Sequence, residues 1–524
     1  MFRNEPLTDF SIAANRGAFA QALEQVRRQL GAEVPLLIGP EPVRARKQRV
    51  RRNPARLSQV VAVAAQAEPA HAEQALDRAE AALPGWRRQP AAERAALLQK
   101  AAEGMCRRRH ELAAWQVFEV GKTWVEADAD VAEAVDDLRY YAEQMGVLEK
   151  QAQLSEVPGE RNLYRREPLG VGVVIPPWNF PVAIPTGLTA AALAAGNVVL
   201  LKPAEQSSAV AFQMVQILRE AGIPPGCLQF LPGLGEEVGE HLVRSPRVRW
   251  VGFTGSRDVG LKILRTAAEL APAQQHVKRV IAEMGGKNAI VVDRDADLDE
   301  AVLGVVASAF GYSGQKCSAC SRVIVLKGIA DSFLERLVES VRSLPIGDPA
   351  DPSILLGPLV DEPAREKVLR YIELAKQEGR ILLQGDLPAG LDGHFVPPVI
   401  VAGAGPQSRV AQEEIFGPVL VVLEADSFDQ ALRIANAVPY ALTGGLYSRS
   451  PAHIQQAMEE LQVGNLYVNR KITGAVVGRQ PFGGFKLSGI GYKAGGPDYL
   501  LQFLQGRTVT ENTMRHGFAP LTGE

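Results

Sequence analysis

The stretch Arg279-Val280-Ile281-Ala282-Glu283-Met284-Gly285-Gly286-Lys287-Asn288-Ala289-Ile290-Val291-Val292 sets two short β-branched runs on either side of a glycine pair. Each run reads as a buried strand, and the glycines between them mark a point where the chain leaves one sheet and enters another. Behind it, runs at 171–175, 197–201, 227–231 and 248–253 alternate with helical stretches at 206–221 and 257–270. Ahead of it follow a strand at 288–292, a helix at 297–310, a strand at 321–326, a helix at 330–344, and further alternation to about residue 469. Such alternation implies βαβ units and a mostly parallel sheet. The fold class expected is α/β, with two doubly wound parallel-sheet domains meeting near residue 284. Residues 70–150 read as helices, because blocks such as 91–106 and 125–141 carry apolar residues at three- and four-residue spacing. The Pro/Gly/Asp-rich stretches 345–358 and 385–394 read as surface loops.

At 524 residues the chain exceeds what one core supports, in line with two domains. Apolar residues make up 46% and charged ones 22%, while 57 basic against 59 acidic residues leave a formal charge of -2. That balance points neither to nucleic acid nor to a membrane. The run Arg44, Arg46, Lys47, Arg49, Arg51, Arg52 and Arg56 reads as a solvated strand or loop face. The least polar stretch, 180–201, is broken by Pro181, Pro185, Thr186, Thr189 and Asn197, and reads as a buried strand-helix segment. The cysteines Cys106, Cys227, Cys317 and Cys320 make no disulfide framework, which favours a reducing compartment, the cytoplasm. The Met1 end, with Arg3, Asn4, Glu5 and Asp9, lacks a signal-peptide pattern.

Chemistry concentrates at the ends of the expected strands. Cys317 lies in Gly314-Gln315-Lys316-Cys317-Ser318, and Glu283 opens Glu283-Met284-Gly285-Gly286-Lys287. A thiol nucleophile and a carboxylate base, each flanked by glycines that let backbone approach a ligand, suit covalent oxidation of an aldehyde. Alone, the cysteine would read as a small core residue and the glutamate as part of a turn. Pro176-Pro177-Trp178-Asn179-Phe180-Pro181 mounts an amide rigidly enough to face a developing oxyanion, although Asn also serves as a plain turn residue. Lys202-Pro203-Ala204-Glu205 is either a clamp for ribose hydroxyls or a surface ion pair. Phe253-Thr254-Gly255-Ser256, where a strand gives way to a helix, is either a pyrophosphate site or a simple serine cap. Gly233 to Gly239 approaches a dinucleotide fingerprint with a final spacing one residue too long. Cys317-Ser318-Ala319-Cys320 spells C-x-x-C without a second Cys or His pair nearby, so no metal is expected and Cys320 reads as core, open to a reversible disulfide with Cys317.

These motifs, with Glu414-Ile415-Phe416-Gly417-Pro418 and Pro481-Phe482-Gly483-Gly484, run in the order found in the aldehyde dehydrogenase superfamily, which the chain resembles across most of its length. The opening Phe2-Arg3-Asn4-Glu5-Pro6, the segment from Glu119-Val120-Gly121-Lys122, Lys316, and Asn469-Arg470-Lys471-Ile472-Thr473-Gly474-Ala475 resemble more closely the branch that oxidises L-glutamate γ-semialdehyde.

The resemblance implies a catalytic trio of Cys317, Glu283 and Asn179. It implies NAD as cofactor, with Lys202 and Glu205 at the adenosine ribose, Ser256, Gly255, Phe253 and Trp178 toward the pyrophosphate, and Glu414 and Phe416 at the nicotinamide ribose and ring. For the substrate it implies Gly474, Ala475, Lys316 and Ser318 at the carboxylate end and Phe180 and Phe482 around the aliphatic middle. Glu133 is either a pocket carboxylate or an exposed helix residue. Residues 1–150 and 168–283 would form the NAD-binding domain and 284–488 the catalytic domain. Residues 151–167 and 489–510 would form a β-hairpin extension through which a homo-oligomer pairs. Ala475 replaces a serine found in some relatives, and Ile38-Gly39-Pro40-Glu41-Pro42 departs from the usual Gly-Gly-x-Trp of that strand. Succinate or 2-aminoadipate semialdehyde, or a non-catalytic binding protein on this scaffold, are the rival readings.

Overall fold

The structure is a computed structural model that describes residues 2–150, 154–272 and 274–514. Its first sheet has eight strands in the spatial order Gly489–Ile490, Arg279–Glu283, Trp250–Thr254, Val171–Ile175, Val198–Leu201, Leu228–Phe230, Leu36–Leu37 and Pro42–Val43. The five strands from Arg279–Glu283 to Leu228–Phe230 are parallel, and antiparallel strands close both edges. The central strand Val171–Ile175 carries a glycine for a packing reason: a Cβ at Gly172 would lie 1.8 Å from Cε2 of the buried Trp250 indole. Parallel strands present their carboxyl ends at one edge, so the loops after residues 175, 201, 230 and 254 gather there.

The second sheet has seven strands, ordered Arg380–Gln384, Val399–Ala402, Val419–Ala425, Cys320–Leu326, Asn288–Val292, Thr443–Tyr447 and Asn465–Val468, all parallel except the first. Residues 284–287 carry the chain from the carboxyl end of Arg279–Glu283 to the amino end of Asn288–Val292. The carboxyl edge of the first sheet is therefore linked to the amino edge of the second, where the segments before Cys320 and Val419 also arrive. Each sheet has its own core, so the expected division near residue 284 is where one sheet ends and the other begins.

Helices cover the first sheet. Ala183–Ala194 is buried along nearly its whole length, and the 27-residue helix Trp124–Lys150 packs beside it. The amino-terminal arm runs along the long helix. Glu5 N–H donates to Asp136 at 2.7 Å, Thr8 N–H and Oγ1 donate to Asp128 at 2.8 and 2.7 Å, and Arg109 grips Asp128 through both Nε and Nη2 at 2.6 Å. Among the described residues no helix is long and apolar enough to cross a membrane.

Four expectations change. Glu160–Pro168 and Leu504–Asn512 do form a two-stranded antiparallel ribbon, but 489–503 is not part of it. Gly489 and Ile490 join the first sheet beside Glu283 and Ala282, and Tyr499, Leu500 and Phe503 enter its core. Of the expected segment 151–167, residues 151–153 lie outside the described residues. In the basic run, Arg51 is not solvated: its guanidinium donates to the carbonyls of Glu119 at 2.6 Å and Val360 at 2.8 Å, tying the two halves of the chain. The loop 345–358 is not wholly superficial, because 356–360 is buried beneath the nucleophile. The helical stretch after Gly235 begins with a π-helical turn, Gly235–Gly239, and not with the tight turn of a dinucleotide fingerprint.

Candidate active site

Cys317, the expected nucleophile, follows a backbone bent by three successive left-handed residues, Tyr312 (φ 52°), Ser313 (φ 54°) and Gly314 (φ 71°), at the end of helix Leu298–Phe310. Non-glycine residues there cost about 1 to 2 kcal/mol each, so the surroundings must hold them. Tyr312 donates to Val120 O and Ser313 to Gly357 O, both at 2.7 Å. Gln315 spends its side chain on Pro358 O at 3.1 Å and on the Val360 N–H at 2.9 Å. Gly314 is required by space as well, since a Cβ would stand 2.3 Å from Gly417 O. Beyond the bend, Asn288 Nδ2 donates to Cys317 O at 2.7 Å and Ala319 O at 2.9 Å, fixing the strand entry.

Two cavities meet at Cys317. One, with about 820 Å³ of empty space, is walled by Phe180, Phe482, Ser318, Gly474, Ala475, Glu133 and Glu283 among others. The second, of about 830 Å³, is walled by Trp178, Asn179, Gly255, Ser256, Glu414 and Phe416. Cys317 belongs to both walls, as do Ile184 and Thr254.

The electrostatics are those of a dry site. Burial pushes the Cys317 thiol well above its ordinary pKa, and Glu283 and Glu414 push it further, against the N–H groups of Ser318 and Cys317 that favour the thiolate. Burial also raises Glu283 to about 8, with Lys493 pulling modestly the other way, and its Oε1 has no hydrogen-bond partner. Asn179 is buried, and its Nδ2 donates to Gln315 O at 3.0 Å, which presents the amide beside the nucleophile's loop.

The second cavity suits a dinucleotide. Ser256 caps helix Arg257–Ala268, accepting from the Val259 N–H at 3.4 Å, so the positive end of the helix opens on the cleft. Glu414 is held by the Gly286 N–H at 2.9 Å, and Gly285 leaves space for its carboxylate, since a Cβ would lie 2.3 Å from Oε2. Trp178 and Phe416 meet edge to face at 5.7 Å.

Four expected site residues lie apart from these walls. Phe253 is buried in the core with its ring against the positions a Cβ would take on Gly255 and Gly260, so it supports the cleft without lining it. Lys316 is not in the first cavity's wall; its Nζ is paired with Glu126 Oε1 at 2.6 Å. Lys202 and Glu205 pair at 2.9 Å outside the second cavity's wall. Lys202 also donates to Pro203 O and Gly233 O, and Glu205 accepts the Gly235 N–H. Burial raises Glu205, but Lys202 outweighs it and the carboxyl ends below its ordinary value. Glu133 does face the first cavity, raised to about 8 by burial and by neighbouring Asp130. Cys320 is buried and bonded to Arg322 O, with a thiol raised to about 12 by burial, as a core cysteine should be.

Several site residues went unread in the sequence. Asp137, Tyr141, Val476, Val477 and Tyr499 line the first cavity, and Lys367 and Met284 line the second. Of these, Asp137 and Tyr141 had a usable signal: with Glu133 they fall at four-residue spacing on one face of the helix Trp124–Lys150.

Residues 43–509 match the Aldehyde dehydrogenase family, and the chain belongs to that family. It is 50% identical over 512 residues to 1-pyrroline-5-carboxylate dehydrogenase of Geobacillus kaustophilus (strain HTA426), covering 97% of this chain and 99% of that one. The Bacillus subtilis (strain 168) protein of the same name is 46% identical with the same coverage. Among solved structures, 1-pyrroline-5-carboxylate dehydrogenase from Thermus with bound NAD superposes with a TM-score of 0.96 at 49% identity, covering 98% of this chain and 99% of that one. Proline utilization A from Bdellovibrio bacteriovorus superposes with a TM-score of 0.97 at 50% identity over 99% of this chain, which spans about half, 54%, of that longer chain.

Proposed function

We propose that the chain oxidises L-glutamate γ-semialdehyde, the open form of 1-pyrroline-5-carboxylate, to L-glutamate with NAD, a step of proline catabolism. The observation that carries this is the position of Cys317 in the shared wall of two cavities, one lined by Glu133, Glu283, Phe180 and Gly474, the other by Trp178, Ser256, Glu414 and Phe416. The names of relatives near 50% identity along nearly their whole length support the substrate.

Cys317 sulfur attacks the aldehyde carbon, its thiol proton passing to solvent water. The Asn179 amide and the Cys317 N–H then hold the oxyanion of the thiohemiacetal, where a single donor is worth about 3 to 4 kcal/mol. NAD in the cleft supplies the hydride acceptor. Glu283 next serves as base for the water that hydrolyses the Cys317 thioester, giving a free acid. Ser256 and Trp178 attend the pyrophosphate, Glu414 the nicotinamide ribose and Phe416 its ring, with Lys202 and Glu205 at the adenosine ribose. Gly474 and Ala475 anchor the substrate carboxylate through backbone N–H groups, assisted by Ser318 and by Lys316 if its Glu126 pairing yields. Phe180 and Phe482 flank the aliphatic middle. The Glu160–Pro168 and Leu504–Asn512 ribbon, two-stranded among the described residues, is the element through which copies pair into a homo-oligomer in the cytoplasm.

The test is NADH formation from L-glutamate γ-semialdehyde compared with succinate and 2-aminoadipate semialdehydes. A kcat/KM advantage below about tenfold for the glutamate aldehyde would defeat the substrate assignment. Cys317→Ala should bind NAD and form no NADH.

A further inference from the structure

Asp137 projects from the long helix Trp124–Lys150 into the first cavity, is 6% exposed, and has an oxygen, Oδ1, with no hydrogen-bond partner. A buried carboxyl left partly unsatisfied is costly, about 1 to 3 kcal/mol, and invites a ligand that completes it. Its niche is built. A Cβ at Gly187 would stand 2.5 Å from Asp137 Oδ2, so the facing helix is pared back to admit the carboxyl. On the other side Tyr141 accepts the Gly495 N–H at 2.8 Å, and its hydroxyl is placed to favour the ionised Asp137 carboxyl against burial.

The location matters chemically. Gly495 O accepts the Gly478 N–H at 2.9 Å, and a Cβ on Gly495 would meet Val477 Cα at 3.1 Å. Asp137 is thus joined through Tyr141 and Gly495 to the loop 474–478, which holds the substrate carboxylate in the proposed reaction. In an α-amino acid the carboxylate and ammonium share one carbon, so the ammonium acceptor must adjoin the carboxylate anchor. Burial holds the Asp137 carboxyl well above the ordinary range, helped by Glu133, so in its neutral form it leaves no unpaired buried charge.

We infer that Asp137 is a specificity-determining residue, the acceptor that recognises the α-ammonium group of the substrate. This rests on the substrate assignment of the previous subsection. The ammonium charge stabilises the Asp137 carboxylate, so on binding the carboxyl proton is released to solvent and an ion pair forms beside Tyr141. An aldehyde of the same length without the amino group gains nothing from it.

The experiment compares kcat/KM for L-glutamate γ-semialdehyde with that for glutarate semialdehyde, its des-amino analogue, in wild-type protein and in Asp137→Asn. Both substrates are read in one preparation, so a partly unfolded variant scales both equally and leaves the ratio intact. The expected result is a loss of about tenfold in the wild-type preference for the amino-bearing aldehyde; any loss of threefold or more supports the assignment. A ratio within threefold of wild type overturns it. If wild-type protein forms no NADH from L-glutamate γ-semialdehyde, the substrate assignment fails and this inference with it. Wild-type turnover with an unchanged ratio in the variant sinks the inference alone.

Discussion

The Lys122 ammonium lies 4.2 Å from the centroid of the Phe180 ring, fully buried, with Asp130 Oδ1 at 3.5 Å. A cation beneath an aromatic wall fixes the ring by its quadrupole, a contact worth about 2 kcal/mol when desolvated. The same cation offsets Asp130, whose carboxyl receives the N–H groups of Val182 and Ala183 at the start of helix Ala183–Ala194. One buried charge therefore supports both the cavity wall and the helix behind it.

Lys122→Met removes that cation and leaves Asp130 buried beside methylene. Breaking a buried pair from one side costs about 3 to 5 kcal/mol, and less here because burial already raises Asp130 toward its neutral form. Thermal unfolding should show a Tm lowered by several degrees, and KM for the aldehyde should rise as Phe180 loses its support. Unchanged values of both would deny Lys122 this part.

Glu283→Gln should form NADH in a rapid burst and then stall, because the thioester accumulates without a base for water. In wild-type protein the base works only when ionised. With Glu283 at about 8, steady-state turnover should climb as pH rises through 8 and then level. A flat profile between pH 6 and 9, or full steady-state turnover in the variant, would remove Glu283 from the hydrolytic step.

Glu133 gives a stability prediction whose sign runs against the usual carboxylate. Its folded-state value, about 8, lies above the ordinary 4.5, so the folded protein binds more protons than the unfolded chain between those values. Its contribution is most favourable below pH 4.5 and is lost as pH rises through 8. Glu133→Gln, which cannot ionise, should gain Tm relative to wild type at pH 9 and show little difference at pH 5. Equal differences at both would mean that Glu133 ionises freely in the folded state.

How much of this was written in the sequence follows from how local each feature is. Asn179 and Glu283 lie at the carboxyl ends of strands of the first sheet and Cys317 and Glu414 just before strands of the second, each inside a short contiguous motif, so their identity could be read from the sequence, while their meeting rests on the join at 284–287 that sets the two edges together. Asp137 and Lys122 lie in a helical region whose pattern marks them only as facing inward. What they face, Gly187 across a helix contact and Phe180 from another strand end, is decided by packing. Arg51 looked like one solvated arginine among several because nothing in its neighbours reports Val360 from the other half of the chain. The same holds for 356–360, whose composition is that of a loop although Gln315 and Ser313 bury it. Residues 489–490 were assigned to the ribbon because an edge strand of two residues carries no pattern, and only pairing with Ala282 and Glu283 reveals it.

The amino-terminal arm carries the last prediction. Asn4 Nδ2 donates to Asp136 Oδ2 at 2.7 Å and to Val477 O at 2.8 Å, so one amide joins the long helix to the loop 474–478 proposed to anchor the substrate carboxylate. Phe2 adds an edge-to-face contact with Tyr140 at 5.1 Å and packs over Gly478, whose φ of 74° needs glycine. Asn4→Ala should leave the fold intact, since each lost hydrogen bond is worth about 1 kcal/mol and the rest of the arm stays tied by Glu5, Thr8 and Arg109. The loop, freed at Val477, should hold the carboxylate less well. KM for L-glutamate γ-semialdehyde should therefore rise several-fold with kcat nearly unchanged, while a plain aliphatic aldehyde, which makes no use of the loop, keeps its KM. A rise shared equally by both aldehydes would show that Asn4 serves the fold and not the anchor.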